Sequence, residues 1–326
     1  MNGWQSSQDQ QEFWPAESKP KVIYFHEDFD GVCSAAILLS HFGHRPEMIP
    51  VRYSLKSGWL RRDLRNAAIV DFLFHPSALW WFDHHDTTFV NNTVKQMYRP
   101  DSRHRWDTKY KACPSLIMDV LAESTDVRKL STRFREWIHW SNIIDAALYE
   151  NAQQAVLGSE PAILINQALS GSRDPNLRVF LAQEIASGSQ PSELANHSSV
   201  EVLWRKQRKE IDVALKLMKE RIQLFETVAF CDVTDSNVPF VRYGNYFFFP
   251  EISKSVIAYK VNVGRKRYYL SLSANPWKNE NDSVTNLAEI AKGYGGGGRK
   301  NVAAISFSSA EECRSVARQV IELLVR

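Results

Sequence analysis

The chain has 326 residues, which at roughly 150 residues per domain predicts about two domains. Hydrophobic residues make up 44% and charged residues 24% of the sequence, so a globally disordered chain is excluded. The 40 Lys and Arg exceed the 37 Asp and Glu by only three, an excess too small to require a nucleic-acid or membrane partner. Its four cysteines are widely spaced and no apolar run reaches 18 residues, so we expect a reduced, cytoplasmic protein without a membrane segment.

The first part of the chain alternates strand and helix patterns. Residues 1–20 are polar and Gln-rich, and we expect a flexible tail there. Short apolar runs predict strands at 22–25, 47–53, 67–72 and 78–82, and helical spacing follows the first of them. This alternation predicts an α/β domain built on a parallel sheet.

The pattern becomes helical over 114–150 and 161–187, and an amphipathic, charged segment covers 200–228. Strand patterns then return at 227–233, 246–249, 255–263, 267–273 and 303–307, with helices expected at 284–291 and 310–325. We therefore predict a domain boundary within 190–228 and a second, smaller α/β domain after it.

Acidic and imidazole side chains follow three of the predicted strands. The segment HEDFDG, with His26, Asp28 and Asp30, comes after the first strand, Asp71 lies at the third, and the triplet from Asp83 to His85 follows the fourth. In a parallel sheet the carboxyl ends of the strands form one rim, where ligands bind. The first segment alone is equally compatible with a helix N-cap, and the triplet alone is more typical of a surface loop than of a metal site. Together they would repel one another unless cations were bound, and mixed oxygen and nitrogen ligands suit Mn²⁺ or Mg²⁺.

Four ordered motifs resemble the DHH superfamily of phosphoesterases, in the DHH/DHHA1 type that includes nanoRNase-like, 3′-phosphoadenosine 5′-phosphate phosphatase-like and RecJ-related members. The motifs are FHEDFDGVCSAAIL, IVDF, FDHHDTTF and GYGGGGRKNVAAISF, and the resemblance extends over residues 21–326. It implies a Rossmann-like DHH catalytic domain at 21–190, a linker helix at 191–228 and a DHHA1 substrate-binding domain at 229–326. It also implies two divalent cations, with Mn²⁺ favoured over Mg²⁺ and Co²⁺, and hydrolysis by metal-activated water.

The resemblance implies a role for each matching position. One ion would be held by His26 and Asp28, and the other by Asp30 and His84, with Asp71 bridging both. A further metal-ligating Asp from a helix after the triplet is best matched by Asp145. Within the triplet, Asp83 would orient a histidine and His85 would stand near the scissile phosphate as acid or electrostatic stabiliser. The alternative for Asp145 is an exposed or capping carboxylate.

Substrate would be bound in two places. Ser34, one turn into the first helix, is a candidate phosphate contact. The backbone N–H groups of Gly296, Gly297 and Gly298 would approach an anion closely, and Arg299, at a position where related proteins usually have His, would clamp it. The alternative for the glycine run is a flexible hinge.

The predicted activity is therefore a Mn²⁺-dependent phosphoesterase acting on small nucleotides or short single-stranded oligonucleotides. The alternatives are a pyrophosphatase or short-chain polyphosphatase, and a catalytically silent nucleotide-binding regulatory module on the same fold. A homodimer, the base preference, and the choice between monoester and diester stay open at this stage.

Overall fold

The structure, a computed structural model, describes residues 19–123, 128–261, 267–278 and 285–325. Most of the predicted N-terminal tail and the end of the predicted strand at 255–263 lie outside these residues. The described residues form two compact units: one contains those up to Ala146 together with Ser172–Leu194, and the other contains Ala147–Gly171 and the residues from Ala195 onward. The domain boundaries drawn from the sequence remain a prediction.

The elements follow one another along the chain as β1 Val22–His26, α1 Phe29–Phe42, β2 Glu47–Val51, a 3₁₀ helix Tyr53–Arg61, β3 Ala67–Val70, β4 Trp80–Asp83, α2 Asn92–Met97, β5 His104–Trp106, α3 Cys113–Ala122, α4 Arg128–Asp145, α5 Ala152–Leu157, α6 Pro161–Gly171, α7 Pro175–Ser187, α8 Pro191–Ala195, α9 Ser198–Arg221, β6 Ile222–Phe225, β7 Val228–Asp232, α10 Gly244–Phe248, β8 Lys254–Val261, β9 Arg267–Ala274, α11 Leu287–Gly293, β10 Gly297–Arg299, β11 Val302–Phe307 and α12 Ala310–Val325.

The first unit contains a five-stranded sheet in the order β2-β1-β3-β4-β5. All four strand pairs are parallel, so the carboxyl ends of β1, β3 and β4 lie side by side at one edge. Every residue of β3 and β4 is buried, which explains their unbroken apolar runs. Helix α1 packs against β1, α3, α4 and α7, and Trp59, Phe74 and Trp81 belong to a separate apolar cluster with Ile69.

The second unit contains a six-stranded mixed sheet in the order β10-β11-β9-β8-β7-β6, in which only β7 and β8 run parallel. Residues of α11 and α12 share one apolar cluster with β8, β9 and β11, while α9 and α10 contribute to two others. Helix α6 packs along α9. The predicted fold class, a parallel-sheet α/β domain followed by a second α/β domain, is confirmed.

Some predicted elements differ in the structure. Residues 246–249, predicted as a strand, belong largely to the short helix α10. A four-residue apolar run cannot distinguish a strand from one turn of buried helix. In the structure the side-chain amide of Asn245, within α10, donates to Ala229 O and Ser255 Oγ and so joins the helix to the sheet. The helix predicted over 200–228 ends at Arg221, where the edge strand β6 begins. Within the described residues no helix is both long and apolar enough to cross a membrane.

Candidate metal centre

The end of β1 and the start of α1 place three predicted ligands. His26 is the last residue of β1, and Asp28 is the N-cap of α1, where its Oδ1 accepts the Gly31 N–H at 3.0 Å. The other carboxylate oxygen of Asp28 lies 2.7 Å from His26 Nδ1. The helix-cap interpretation and the ligand interpretation of this segment are therefore compatible, because each uses a different oxygen of Asp28.

Gly31 allows the tight connection between strand and helix. A Cβ atom at this position would lie 2.1 Å from the carbonyl oxygen of His26, a contact that no side chain can make without moving the backbone. The glycine thus sets the distance between the two ends of the HEDFDG segment. The sequence shows this glycine directly after Asp30, but the close contact that requires a glycine here could not be predicted from it.

Asp30 lies in the first turn of α1, only 3% exposed. Both of its oxygens accept the backbone N–H of Cys113, the first residue of α3, at 3.0 and 3.1 Å, and Oδ1 also accepts the Ser34 hydroxyl at 3.2 Å. Burial and the charge of Asp71 raise the pKa of Asp30 to about 6, against the opposing effect of His84. Ser34 is completely buried, so the contact that the structure shows for it is with Asp30, and its predicted phosphate contact stays a prediction.

Asp71 follows β3 directly and adopts a left-handed backbone conformation, with φ of 53°. Its backbone N–H donates to Phe82 O at 2.9 Å, which fixes the turn between neighbouring strand ends. The side chain is fully buried, and neither carboxylate oxygen accepts a hydrogen bond of good geometry from a described residue. A buried carboxylate in this state is costly unless a cation lies against it.

Asp83 anchors the triplet that follows β4. Its Oδ1 accepts the backbone N–H groups of His84 and His85 at 2.7 and 3.1 Å, and its Oδ2 accepts the Thr88 hydroxyl. The same Oδ1 lies 2.9 Å from His85 Nδ1. Asp83 thus lies against both the turn and the ring of His85, a geometry that fits the orienting role implied by the family resemblance; the role itself stays a prediction.

His84 has one ring nitrogen committed and the other aimed at carboxylates. Its Nδ1 lies 3.1 Å from Tyr110 O, and because a carbonyl can only accept, Nδ1 carries a proton. Its Nε2 lies 3.2 Å from Asp30, 3.5 Å from Asp145 and 3.9 Å from Asp71. In the neutral tautomer this geometry points a lone pair at three carboxylates, an arrangement suited to a shared cation.

Asp145 is the last residue of α4, at the end of the helix where the macrodipole disfavours a negative charge. Its side chain is 22% exposed, and burial followed by the charge of Asp30 raises its pKa to about 6. These unfavourable factors are opposed by His84 and His85, so the position is poor for a structural carboxylate and suited to a ligand. This geometry fits the predicted metal-binding role of Asp145, which stays a prediction.

The described side chains form three groups whose ligand atoms lie within 4.8 Å of one another: His26, Asp28 and Asp71; Asp30, His84 and Asp145; and Asp71, Asp83, His84 and His85. Membership of Asp71 in two groups fits a bridging carboxylate. Four buried atoms in these groups have no hydrogen-bond partner of good geometry among the described residues: both oxygens of Asp71, His26 Nδ1 and His84 Nε2. The orphaned atoms and the oxygen-nitrogen donor set fit divalent cations.

The electrostatics of the metal-free cluster agree with this fit. Burial lowers the pKa of each imidazole, but the neighbouring carboxylates outweigh it and raise the pKa of His26 to about 11, of His84 to about 9 and of His85 to about 12. Without cations the three rings are therefore protonated at neutral pH and supply the positive charge that the carboxylates need.

The glycine run lies in the second unit. Gly298 has φ of 153°, and a Cβ atom there would lie 2.3 Å from Val302 O, while one at Gly296 would lie 2.4 Å from Ala304 O. Both glycines are thus needed for β11 to lie close to the backbone of the glycine run. A Cβ atom at Gly297 would meet no described atom within 4 Å, and Arg299 is exposed at the end of β10. Anion binding by Gly296–Gly298 and Arg299 remains a prediction.

Sequence reasoning missed several groups that shape the centre: the Cys113 N–H, the Tyr110 carbonyl, the Thr88 hydroxyl and the ring of Tyr53. Thr88, within the DHHDTTF motif, could have been found from its spacing. The two backbone groups carry no sequence signal, because any residue type supplies an N–H or a carbonyl.

No protein-family model matches the sequence, and a search of the curated proteins finds no match. Solved structures do match in fold. The pGpG-specific phosphodiesterase PggH from Vibrio cholerae is 16% identical with a TM-score of 0.73, and the match covers 94% of this chain and 98% of that one. A DHH domain from a member of a family of ribosomal proteins is 12% identical with a TM-score of 0.62, covering 94% and 87%.

A third match is RecJ in complex with Mn²⁺ from Thermus thermophilus, 11% identical with a TM-score of 0.55, covering 94% of this chain and 52% of RecJ. At these identities the matches establish the fold alone. The family resemblance of the four motifs is thereby confirmed at the level of the fold: this chain has the fold of the DHH superfamily.

Proposed function

We propose that the chain is a metal-dependent phosphoesterase that hydrolyses small nucleotides or short oligonucleotides, with two Mn²⁺ ions as the physiological cofactors. The observation that carries the proposal is Asp71, a buried carboxylate that accepts no hydrogen bond of good geometry from a described residue and is shared between two clusters of oxygen and nitrogen ligands. The structural matches to PggH and to Mn²⁺-bound RecJ support the same class of activity.

Each residue of the centre has a proposed task. His26 and Asp28 would hold one ion, Asp30, His84 and Asp145 the other, and Asp71 both. When bound, such ions would lower the pKa of a coordinated water and neutralise charge on a phosphoryl group. Hydrogen bonds outside the ligand set keep the residues in this arrangement: the backbone N–H groups of His84 and His85 donate to Asp83, and His84 Nδ1 donates to Tyr110 O.

His85 is the proposed contact with the reacting phosphoryl group. Asp83 engages its Nδ1, so Nε2 is the nitrogen that can face a substrate. The neighbouring carboxylates raise the pKa of His85 to about 12 in the metal-free protein, despite the opposing effect of burial, so the ring carries a positive charge at neutral pH. Since Asp83 holds the ring with Nε2 available, we assign His85 the role of a donor to phosphoryl oxygen, with proton donation to the leaving group as a second task.

The test is Mn²⁺-dependent turnover on a substrate panel: 5′-phosphorylated di- to pentanucleotides, 3′-phosphoadenosine 5′-phosphate, a cyclic dinucleotide and pyrophosphate. Asp30→Asn is the control, because an alanine at this position would leave the buried Cys113 N–H without an acceptor, whereas asparagine keeps one. Mononucleotide release that depends on Mn²⁺ and is absent from the variant is the expected result.

The same panel separates the alternatives. Release of phosphate from pyrophosphate alone would favour a pyrophosphatase or polyphosphatase. An inert panel with Mn²⁺ bound would place the substrate outside the panel, whereas an inert panel without Mn²⁺ binding would favour a silent nucleotide-binding module. Our proposal includes a cytoplasmic location, for which the four unpaired, buried cysteines are the supporting observation.

A further inference from the structure

Tyr53 stands beside the metal centre, although no motif in the sequence singled it out. Strand β2 pairs in parallel with β1, with Val51 opposite His26, so the residues just after β2 reach the rim that carries the ligands. The ring centroid of Tyr53 lies 4.9 Å from that of His26 and 5.2 Å from that of Phe72. The residue is nevertheless 41% exposed, so part of it faces solvent at the rim.

The hydroxyl of Tyr53 is a free donor in the field of the metal centre. No described residue forms a hydrogen bond with it, whereas Asp83, Asp71 and Asp28 all act on it electrostatically. These carboxylates lie near the hydroxyl, and a phenol is uncharged at neutral pH, so the hydroxyl is available as a donor. A neutral donor at this place suits an anion that is attracted by cations.

The backbone around Tyr53 is firmly held. Arg52, directly before it, pairs through Nε with the carboxylate of Glu27 and donates from Nη2 to Arg173 O at 3.3 Å. At the other end of the 3₁₀ helix, Trp59 is completely buried and donates from Nε1 to Leu73 O at 2.9 Å. The ring is therefore pre-positioned, which reduces the entropy lost when its hydroxyl binds a ligand.

We propose that Tyr53 is a substrate-contacting residue whose hydroxyl donates a hydrogen bond to a phosphoryl oxygen of the substrate bound at the metal centre. This proposal rests on the proposed function, in which the substrate carries the phosphoryl group, and it identifies a residue that would select for that group. The competing explanation is that Tyr53 only packs against His26 and supports metal binding through its ring.

Binding measurements distinguish the two roles. The probe is adenosine 5′-monophosphate, titrated calorimetrically into Mn²⁺-saturated protein, with adenosine as the phosphate-free comparison. Tyr53→Phe keeps the ring and removes the hydroxyl, while Tyr53→Ala removes both. Tyr259→Phe, which deletes the hydroxyl of a stacked tyrosine in the second unit, is the matched control. Mn²⁺ affinity is measured separately on each metal-free protein.

The expected result is a roughly tenfold loss of adenosine monophosphate affinity in Tyr53→Phe, with Mn²⁺ affinity unchanged and Tyr259→Phe like the wild type. Tyr53→Ala is expected to lose Mn²⁺ affinity in addition. Unchanged nucleotide affinity in Tyr53→Phe would overturn the proposal, as would a loss of Mn²⁺ affinity that accounts for the whole effect.

Failure of the proposed function has a different signature. A wild-type protein that binds Mn²⁺ and adenosine monophosphate but turns over no panel member would refute the proposed activity on these substrates. The role of Tyr53 would still be decided by the same titrations. A wild-type protein that binds Mn²⁺ but no adenosine monophosphate would overturn the role of Tyr53.

Discussion

Replacing Asp145 with asparagine should have opposite effects on the metal-free and the metal-bound protein. In the metal-free protein, burial and Asp30 raise the pKa of Asp145 from 3.8 to about 6. A carboxyl group whose pKa is raised by this amount on folding lowers the free energy of unfolding by about 3 kcal/mol once it is ionised. Asparagine has nearly the same shape and no charge, so Asp145→Asn should remove this penalty.

The sign of the pH dependence follows from the raised pKa. Above pH 7 the folded protein holds a full charge in an unfavourable place, so the gain from Asp145→Asn is complete there. It falls as the pH drops through 6, to about half at pH 5, and disappears below pH 4. Because the side chain is 22% exposed and water screens part of its charge, we expect a gain of about 1–3 kcal/mol at pH 8.

Urea unfolding in a chelator, at pH 8 and at pH 5, measures this gain. Repeating the experiment with Mn²⁺ measures the stabilisation by the metal, which should be smaller in Asp145→Asn than in the wild type because a ligand is lost. Glu136→Gln, an exposed carboxylate-to-amide change on the same helix, is the matched control and should change neither quantity. A less stable metal-free Asp145→Asn at pH 8, or an undiminished effect of Mn²⁺, would refute the reasoning.

Three further predictions concern the same centre. Carboxylates raise the pKa of His84 to about 9 against the effect of burial, so Mn²⁺ must displace a proton from this ring when it binds. The affinity for Mn²⁺ should therefore rise between pH 6 and pH 9, and calorimetry in two buffers near pH 7 should show proton release. A Mn²⁺ affinity that does not change with pH would contradict this. Gly31→Ala puts a Cβ against the His26 carbonyl, so it should lower the free energy of unfolding in urea by about 2–4 kcal/mol and should also weaken Mn²⁺ binding. The control is Gly293→Ala, whose Cβ meets open space and which should leave the free energy of unfolding almost unchanged. Ser34→Ala should weaken Mn²⁺ binding a few-fold through its lost carboxylate partner; a loss confined to nucleotide binding would instead favour the phosphate contact predicted from the sequence.

The rim of the parallel sheet was predictable because strand alternation and acidic clusters are both local patterns. Val22–His26, Ala67–Val70 and Trp80–Asp83 all appear where apolar runs predicted strands. Their adjacency in the sheet was not predictable, since strand order depends on long-range packing that a single sequence does not encode locally. The prediction that Asp145 is a metal ligand came from the family resemblance alone, because its position on α4 is far along the chain from Asp83.

Elements with weak local signals were missed. Strand β5 has three half-buried residues, His104–Trp106, and its pattern is too short to recognise. Strand β6 follows α9 without a break, and three of its four residues are exposed, so it resembles the end of an amphipathic helix. In both places tertiary pairing rather than periodicity decides the structure.

The centre combines several choices that would each destabilise an ordinary domain. Asp71 has a left-handed backbone and two unsatisfied oxygens, Asp145 places a negative charge at a helix C-terminus, and Asp30 is buried beside the like charge of Asp71. In the metal-free protein protonated imidazoles offset part of this cost. Cations would offset it more completely and release protons from the ligating rings of His26 and His84, so stability, pH and metal concentration should be linked through one set of side chains. A structural cluster of salt bridges would give no such linkage to metal, which makes the linkage itself the physical signature of a functional site.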